Sequence, residues 1–399
     1  MGNAVIIGSS YAGLAAALEL RSRLPNSQNV TVVSLSDQFI FFPSLIWVVQ
    51  GEREIADISF PIRPVLEKSG ITFMQARLER INIEKNSVTL SDSQELPFDR
   101  LLIATGGELD WGNTPGLQPK PQGFTTSMLS PQAALDARKN WQALLANPGP
   151  IVIGLDLNAN LYGAAYELAL NLDIVLRKAG VREESQIAFI TPEPYLGHFG
   201  HDGLGNSRQI IEGAFASQDI TYITEAQIDR IEEETVVLGN MHARLPSKFT
   251  MIVPPYRGIK PVRNVPNLGD EKGRIPVDGY YRSQNYKNIF AAGAAIQLKS
   301  QVVTLLPCDV FIPGTVSAEM GRLAAANIAA DLGYGKPIQK SAKEMKSFYV
   351  LDSAGHGLFM SLGPQSWLNM QLNVPGPWGH WAKIMTEKYQ MWQLQTGRY

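Results

Sequence analysis

Gly8, Ser10 and Gly13 occupy the three marked positions of G-x-G-x-x-G within Gly8-Ser9-Ser10-Tyr11-Ala12-Gly13. That spacing serves dinucleotide binding: one glycine for a tight turn, one for approach of a pyrophosphate to a helix N-terminus, one for close helix packing. Serine replaces the middle glycine, so the fingerprint alone competes with a plain strand-to-helix turn. A second glycine turn, Ala104-Thr105-Gly106, can pass its backbone close to a cofactor, and Gly293-Ala294 ends a third strand in the same way. The acid that often grips a ribose at the end of the second strand is missing, because Ser34 stands there and the nearest carboxylate is Asp37. No residue is singled out as acid, base or nucleophile, although Glu193 with His198 and His201 could form a proton relay. As metal ligands those histidines lack a third partner, and no metal is expected.

The elements that must position these residues are legible in outline. Ala4 to Gly8 reads as a strand, Leu14 to Leu20 as a helix and Val30 to Val33 as a strand, a βαβ unit with parallel neighbours. Phe98 to Gly107 and Tyr286 to Gly293 read as further strands ending in glycine, the latter followed by a helix over Ser317 to Asp331. A second strand, glycine, helix pattern runs from Pro150-Ile151-Val152-Ile153-Gly154 into Tyr162 to Leu176, with its next strand at Ile187 to Thr191. In it Asp156 stands where a nicotinamide dinucleotide's pyrophosphate would approach, and a carboxylate there repels it, so NAD(P) is not expected.

The 399 residues, 45% hydrophobic and 18% charged, can bury a large core. A net charge of -2 offers no basic surface for phosphate backbones, which sets nucleic acid aside. The single cysteine, Cys308, excludes an internal disulfide and reads first as a small buried hydrophobe among Leu305, Leu306, Val310 and Phe311. The strand beginning at Ala4 leaves no room for a secretory signal, and no apolar run of about 18 residues suits a spanning helix. The expected location is the cytoplasmic side, on a membrane surface rather than through it.

Several segments together resemble sulfide:quinone oxidoreductase-type flavoproteins over almost the whole chain. They are Gly8 to Gly13, Ala104 to Gly106, Phe189-Ile190-Thr191-Pro192-Glu193-Pro194-Tyr195-Leu196-Gly197-His198-Phe199-Gly200, Pro254 to Gly258, and Trp378-Gly379-His380-Trp381-Ala382-Lys383. The resemblance implies FAD held by the first unit through Gly8, Ser9, Ser10, Tyr11, Ala12, Gly13, Ser34, Ala104, Thr105, Gly106, Gly293 and Ala294. It also implies a second unit of like topology and a C-terminal part that docks on the membrane and admits quinone. The family's sulfide chemistry uses a cysteine pair. Here Asn160 or Leu161 stands in one of its places, and Ser127 to Ser130 where another cysteine often lies. The aspartate that often follows the late glycine is Ala294 here, and the family's Lys-Thr-Gly is replaced around Ile312 to Thr315.

The expected fold is therefore α/β, with two Rossmann-like dinucleotide-binding domains, 1-120 with 284-335 and 121-283, and a docking module over 336-399. The tail's Trp367, Trp378, Trp381, Tyr389, Trp392 and Tyr399 suit either a membrane interface or packing on the body or a partner, including a second copy. The expected activity is FAD-dependent electron transfer to quinone or a protein acceptor, without the cysteine route. The competing reading is a catalytically retired subunit or assembly factor of a membrane complex.

Overall fold

The structure, a computed structural model, describes residues 2–298, 300, 302–341, 344–345, 347–352, 356–362, 373–375 and 378–398, with the backbone alone for 347–349, 356–362 and 373–375. Trp367 and Tyr399 lie outside the described residues.

Strands at Asn3–Ile7, Asn29–Ser34, Thr72–Gln75, Arg100–Ile103 and Ile289–Ala291 form a five-stranded parallel sheet. Their near-continuous apolar runs are what a sheet covered on both faces requires. The order places 289–291 at one edge, then 100–103, 3–7, 29–34 and 72–75. Register sets Ile7 opposite both Val33 and Ile103, and Ile103 opposite Ala291, so these strands end at one level. Helix Tyr11–Arg23 packs along helix Gly314–Asp331 on this sheet. The second of these helices begins three residues before the Ser317 expected from sequence, because Pro313 already supplies an extended N-cap and Gly314 fits against the Tyr11 ring.

A second parallel sheet repeats the plan with Ile151–Leu155, Ile187–Ile190, Thr221–Ile223 and Phe249–Val253, and helix Tyr162–Lys178 follows its first strand. Each unit also carries a three-stranded antiparallel meander, 78–97 and 228–246. One apolar cluster runs through both units, joining residues such as Leu14, Ile103, Ile153 and Phe189. The C-terminal region pairs strands Ser347–Asp352, His356–Leu362 and Asn373–Pro375, then ends in helix Trp378–Thr396.

Candidate functional site

The aligned strand ends bring three separated turns together. Gly8 donates its N–H to Val33 O at 2.8 Å, Ala104 to Ile7 O at 2.8 Å, and Ala292 to Ile103 O at 3.1 Å. Gly8, Gly106 and Gly293 all adopt positive φ, where glycine is at ease. The crowding is what the fingerprint demands: a Cβ on Gly13 would lie 2.0 Å from Gly8 O, and one on Gly8 2.3 Å from Ala104 O. Ser10 caps helix Tyr11–Arg23 with its backbone only, and the first turn carries no acid, so its N–H end is left for an anion. Ser9 Oγ donates to Ser34 Oγ at 2.7 Å, tying the turn to the end of the second strand. Ala294 sits in the short helical turn Gly293–Ala295, and the space over Gly293 is bounded by Ala12 and Ser317.

The corresponding turn of the second unit is closed. Asn158 donates its N–H to Pro307 O at 3.0 Å and Tyr162 Oη donates to Asp309 O at 2.8 Å, so residues 307–309 cover the start of helix Tyr162–Lys178. The carboxylate of Asp156 is buried: Oδ1 accepts from the turn's own Leu157 N at 2.8 Å, and Oδ2 accepts from Asn113 Nδ2 at 2.8 Å and Thr114 Oγ1 at 2.9 Å. Burial raises its pKa against those bonds.

Cys308 lies in this covering segment, buried, with its thiol pushed up to about 12 chiefly by burial. Such a thiol is almost entirely protonated at neutral pH and is a poor nucleophile. Nearby, Glu193 is enclosed and accepts from Tyr166 Oη at 2.6 Å, Thr191 Oγ1 at 2.8 Å and Phe199 N at 2.8 Å. Burial raises its carboxyl to about 7 although these bonds pull the other way. The histidine ring contacts among the described residues run elsewhere. His198 Nδ1 accepts from Gly200 N at 3.2 Å, and His201 Nε2 meets Phe311 O at 3.1 Å.

A second buried polar cluster, which sequence reasoning missed, joins the C-terminal helix to the body. Lys383 Nζ donates to Glu167 Oε2 at 2.9 Å, and Asp352 N donates to Glu167 Oε1 at 3.0 Å. Asp352 Oδ2 accepts from Trp47 Nε1 at 3.1 Å and pairs with His380 Nδ1 at 2.8 Å. Burial lifts Glu167 to about 7 with Lys383 opposing, while the bond to Asp352 raises His380. A signal existed in the sequence: Glu167 and Asn171, one turn apart, interrupt the apolar stripe Ala165-Leu168-Ala169-Leu172 of a helix that must be buried. The partners, some two hundred positions away, had none. The outer face of the same C-terminal helix carries Trp378, Trp381, Met385, Tyr389 and Trp392, with Trp378 70% and Met385 68% exposed.

This pair of sheets, with glycine turns gathered at the strand ends of the first, defines a dinucleotide-dependent oxidoreductase of the two-Rossmann class. Residues 2–308 match the family model described as pyridine nucleotide-disulphide oxidoreductase, and the chain belongs to that family, on its sulfide:quinone oxidoreductase-like branch. It is 32% identical to the sulfide-quinone reductase of Aquifex aeolicus over 98% of this chain and 91% of that protein. The solved Aquifex aeolicus sulfide:quinone oxidoreductase superposes with a TM-score of 0.91 at 30% identity, covering 100% of this chain and 92% of the other. NDH2 of Plasmodium falciparum, solved with NADH, shares the fold at a TM-score of 0.73 and 12% identity, over 99% of this chain and 96% of that one.

The family's flavin dinucleotide fits the first turn on this structure's own terms. Gly8 and Gly13 allow the strand, the turn and the 104–106 backbone to close on one another as a Cβ would not, and the N-terminal N–H end of the helix has no side-chain cap and no acid in its first turn.

Proposed function

We propose that the protein is an FAD-dependent oxidoreductase that passes electrons to quinone without a protein disulfide relay. The observation that carries this reading is the convergence of glycine turns at the first sheet's strand ends, from Gly8, Gly13, Ala104 to Gly106 and Gly293, combined with a single, buried cysteine, Cys308. Gly8 to Gly13 would hold the diphosphate at the helix N-terminus, Ser9 and Ser34 would lie toward the ribose, and Ala104 to Gly106 with Gly293 and Ala294 would bound the rest of the cofactor. When bound, FAD supplies the two-electron chemistry.

The chain's own residues do the remaining work. Residues 307–309 cover the second unit's turn, which disfavours NAD(P)H as the donor and directs entry of electrons elsewhere. Reducing a quinone to a quinol consumes two protons, and burial raises the Glu193 and Glu167 carboxyls to about 7, into the range where a carboxyl can carry one. No helix among the described residues is long and apolar enough to cross a membrane. The outward row of aromatic side chains suits the headgroup layer of a bilayer and would bring the chain to a quinone dissolved there.

The test is the visible spectrum of the purified protein, then after anaerobic reduction, then after a soluble short-chain quinone. A flavin band that bleaches and returns with quinone is expected, with no bleaching by sulfide. A colourless chain that takes up no FAD would overturn the enzymatic reading in favour of a structural subunit.

A further inference from the structure

The two serines of the first turn have opposite surroundings. Ser9 is buried, and its Oγ is committed to Ser34 Oγ at 2.7 Å. Ser10 is exposed and stands at the N-cap of helix Tyr11–Arg23. A serine there ordinarily accepts from the second or third helical N–H, yet Ser10 Oγ makes no cap bond. Its backbone is extended, with φ -81° and ψ -158°, so the free hydroxyl does not come from a strained turn.

The helix that Ser10 opens is 13 residues long, carries no acid in its first turn, and buries Tyr11, Ala12 and Gly13. The N–H groups of those three residues precede the first intrahelical bond, from Leu14 N to Ser10 O at 2.9 Å, and no side chain of the N-cap meets them. Orphan N–H groups at a buried helix start call for water or a ligand, and their partial positive charge favours an anion. In the ordinary fingerprint the middle glycine lets a diphosphate come close to the backbone. A Cβ at that position holds such a group farther off, and a hydroxyl on that Cβ is the donor that reaches across.

We infer that the Ser10 hydroxyl is a phosphate-binding group that takes over the task of the missing glycine, donating to the cofactor's diphosphate alongside the helix N–H groups. This rests on the reading that the first unit holds FAD. It makes the diphosphate, and not the flavin ring, the part of the cofactor that Ser10 recognises. Ser9, committed to Ser34, has no share in that contact.

The test uses full-length protein freed of FAD. Affinity is read by titration with FAD and with ADP, which carries the diphosphate without the flavin, and stability by denaturant unfolding of the cofactor-free chain. Ser10→Ala should weaken FAD at least about tenfold, the lower size of a hydrogen bond to a charged group, and weaken ADP by the same factor. Its cofactor-free stability should equal the parent's, since the hydroxyl caps nothing, whereas a structural cap would show as a loss there. Ser10→Gly, which restores the ordinary fingerprint, should recover most of the affinity. Parent-like affinity in Ser10→Ala, weakened FAD with unchanged ADP, a destabilised cofactor-free Ser10→Ala chain, or tighter FAD in Ser10→Gly than in the parent would each overturn the assignment and leave the flavoprotein reading standing. A parent chain that takes up no FAD overturns both.

Discussion

The first and last helices of this protein are built on opposite plans. Helix Tyr11–Arg23 buries Ala12, Leu14, Ala15, Ala16, Ala17 and Leu20, an ordinary apolar interior with a glycine at its tightest contact. Helix Trp378–Thr396 buries Gly379, Lys383, Glu387, Met391 and Leu394 and turns its tryptophans outward. A soluble helix gains by hiding its aromatic area and wetting its charges. The last helix does the reverse, with each buried charge answered by a partner on another element: Glu167 for Lys383, Ser44 for Glu387. The first helix is held by shape, the last by polar pairing, and of the two only the last leaves a row of large apolar side chains exposed.

The sharpest break of this comparison is at Gly13. Gly13→Ala sets a methyl 2.0 Å from Gly8 O and should abolish flavin retention and cost at least about 3 kcal/mol, read by absorbance and by denaturant unfolding. Gly397, just past the end of the last helix, has room beside Leu18 but a positive φ, so Gly397→Ala should cost only about 1 kcal/mol.

Lys383→Met comes next, since it leaves Glu167 enclosed without its cation. A loss of about 3 kcal/mol is expected at pH 8, where folding must bury the Glu167 charge or take up a proton from solution, and less at pH 6, where little of that cost arises. In the parent chain, folding raises the Glu167 carboxyl to about 7, so its ionisation weighs against the fold as pH climbs from the ordinary carboxylate range through 7. The raised His380 contributes stability below its ordinary value and loses it as pH rises through the folded one. Both signs agree, and unfolding of the C-terminal helix followed by tryptophan fluorescence should become easier from pH 6 to pH 8. The smallest effect on stability is at the outer face: Trp381→Ser with Met385→Ser should change the unfolding free energy by under about 0.5 kcal/mol per site yet sharply reduce co-sedimentation with anionic lipid vesicles. Unchanged sedimentation would remove the interfacial role of that face.

The gathering of glycine turns at the first sheet's strand ends was legible in sequence because its determinants are local. Gly8 to Gly13 follow a strand and open a helix, Ala104 to Gly106 and Gly293 each close an apolar run, and sheet register then aligns them. Ser10 in the middle position is tolerated because its backbone is extended and its side chain exposed. The polar anchoring of the tail was not legible. Lys383 and Glu167 lie in helices whose periodicity is read separately, and nothing in either stripe says which charge meets which. Asp156 was legible as a carboxylate in the second unit's turn, where its Oδ1 meets Leu157 N, but its partners Asn113 and Thr114 come from a different loop and were not.

Electron transfer through FAD to quinone without a protein thiol, as proposed, is tested most directly by the reoxidation kinetics of Cys308→Ala. The full-length variant, photoreduced without oxygen and mixed with a soluble short-chain quinone in a stopped-flow cell, should recover its flavin band at the parent rate, because the buried thiol of Cys308 is protonated and without a second cysteine. Loss of reoxidation in a variant that still folds and still holds FAD would place the sulfur on the electron path and contradict the account.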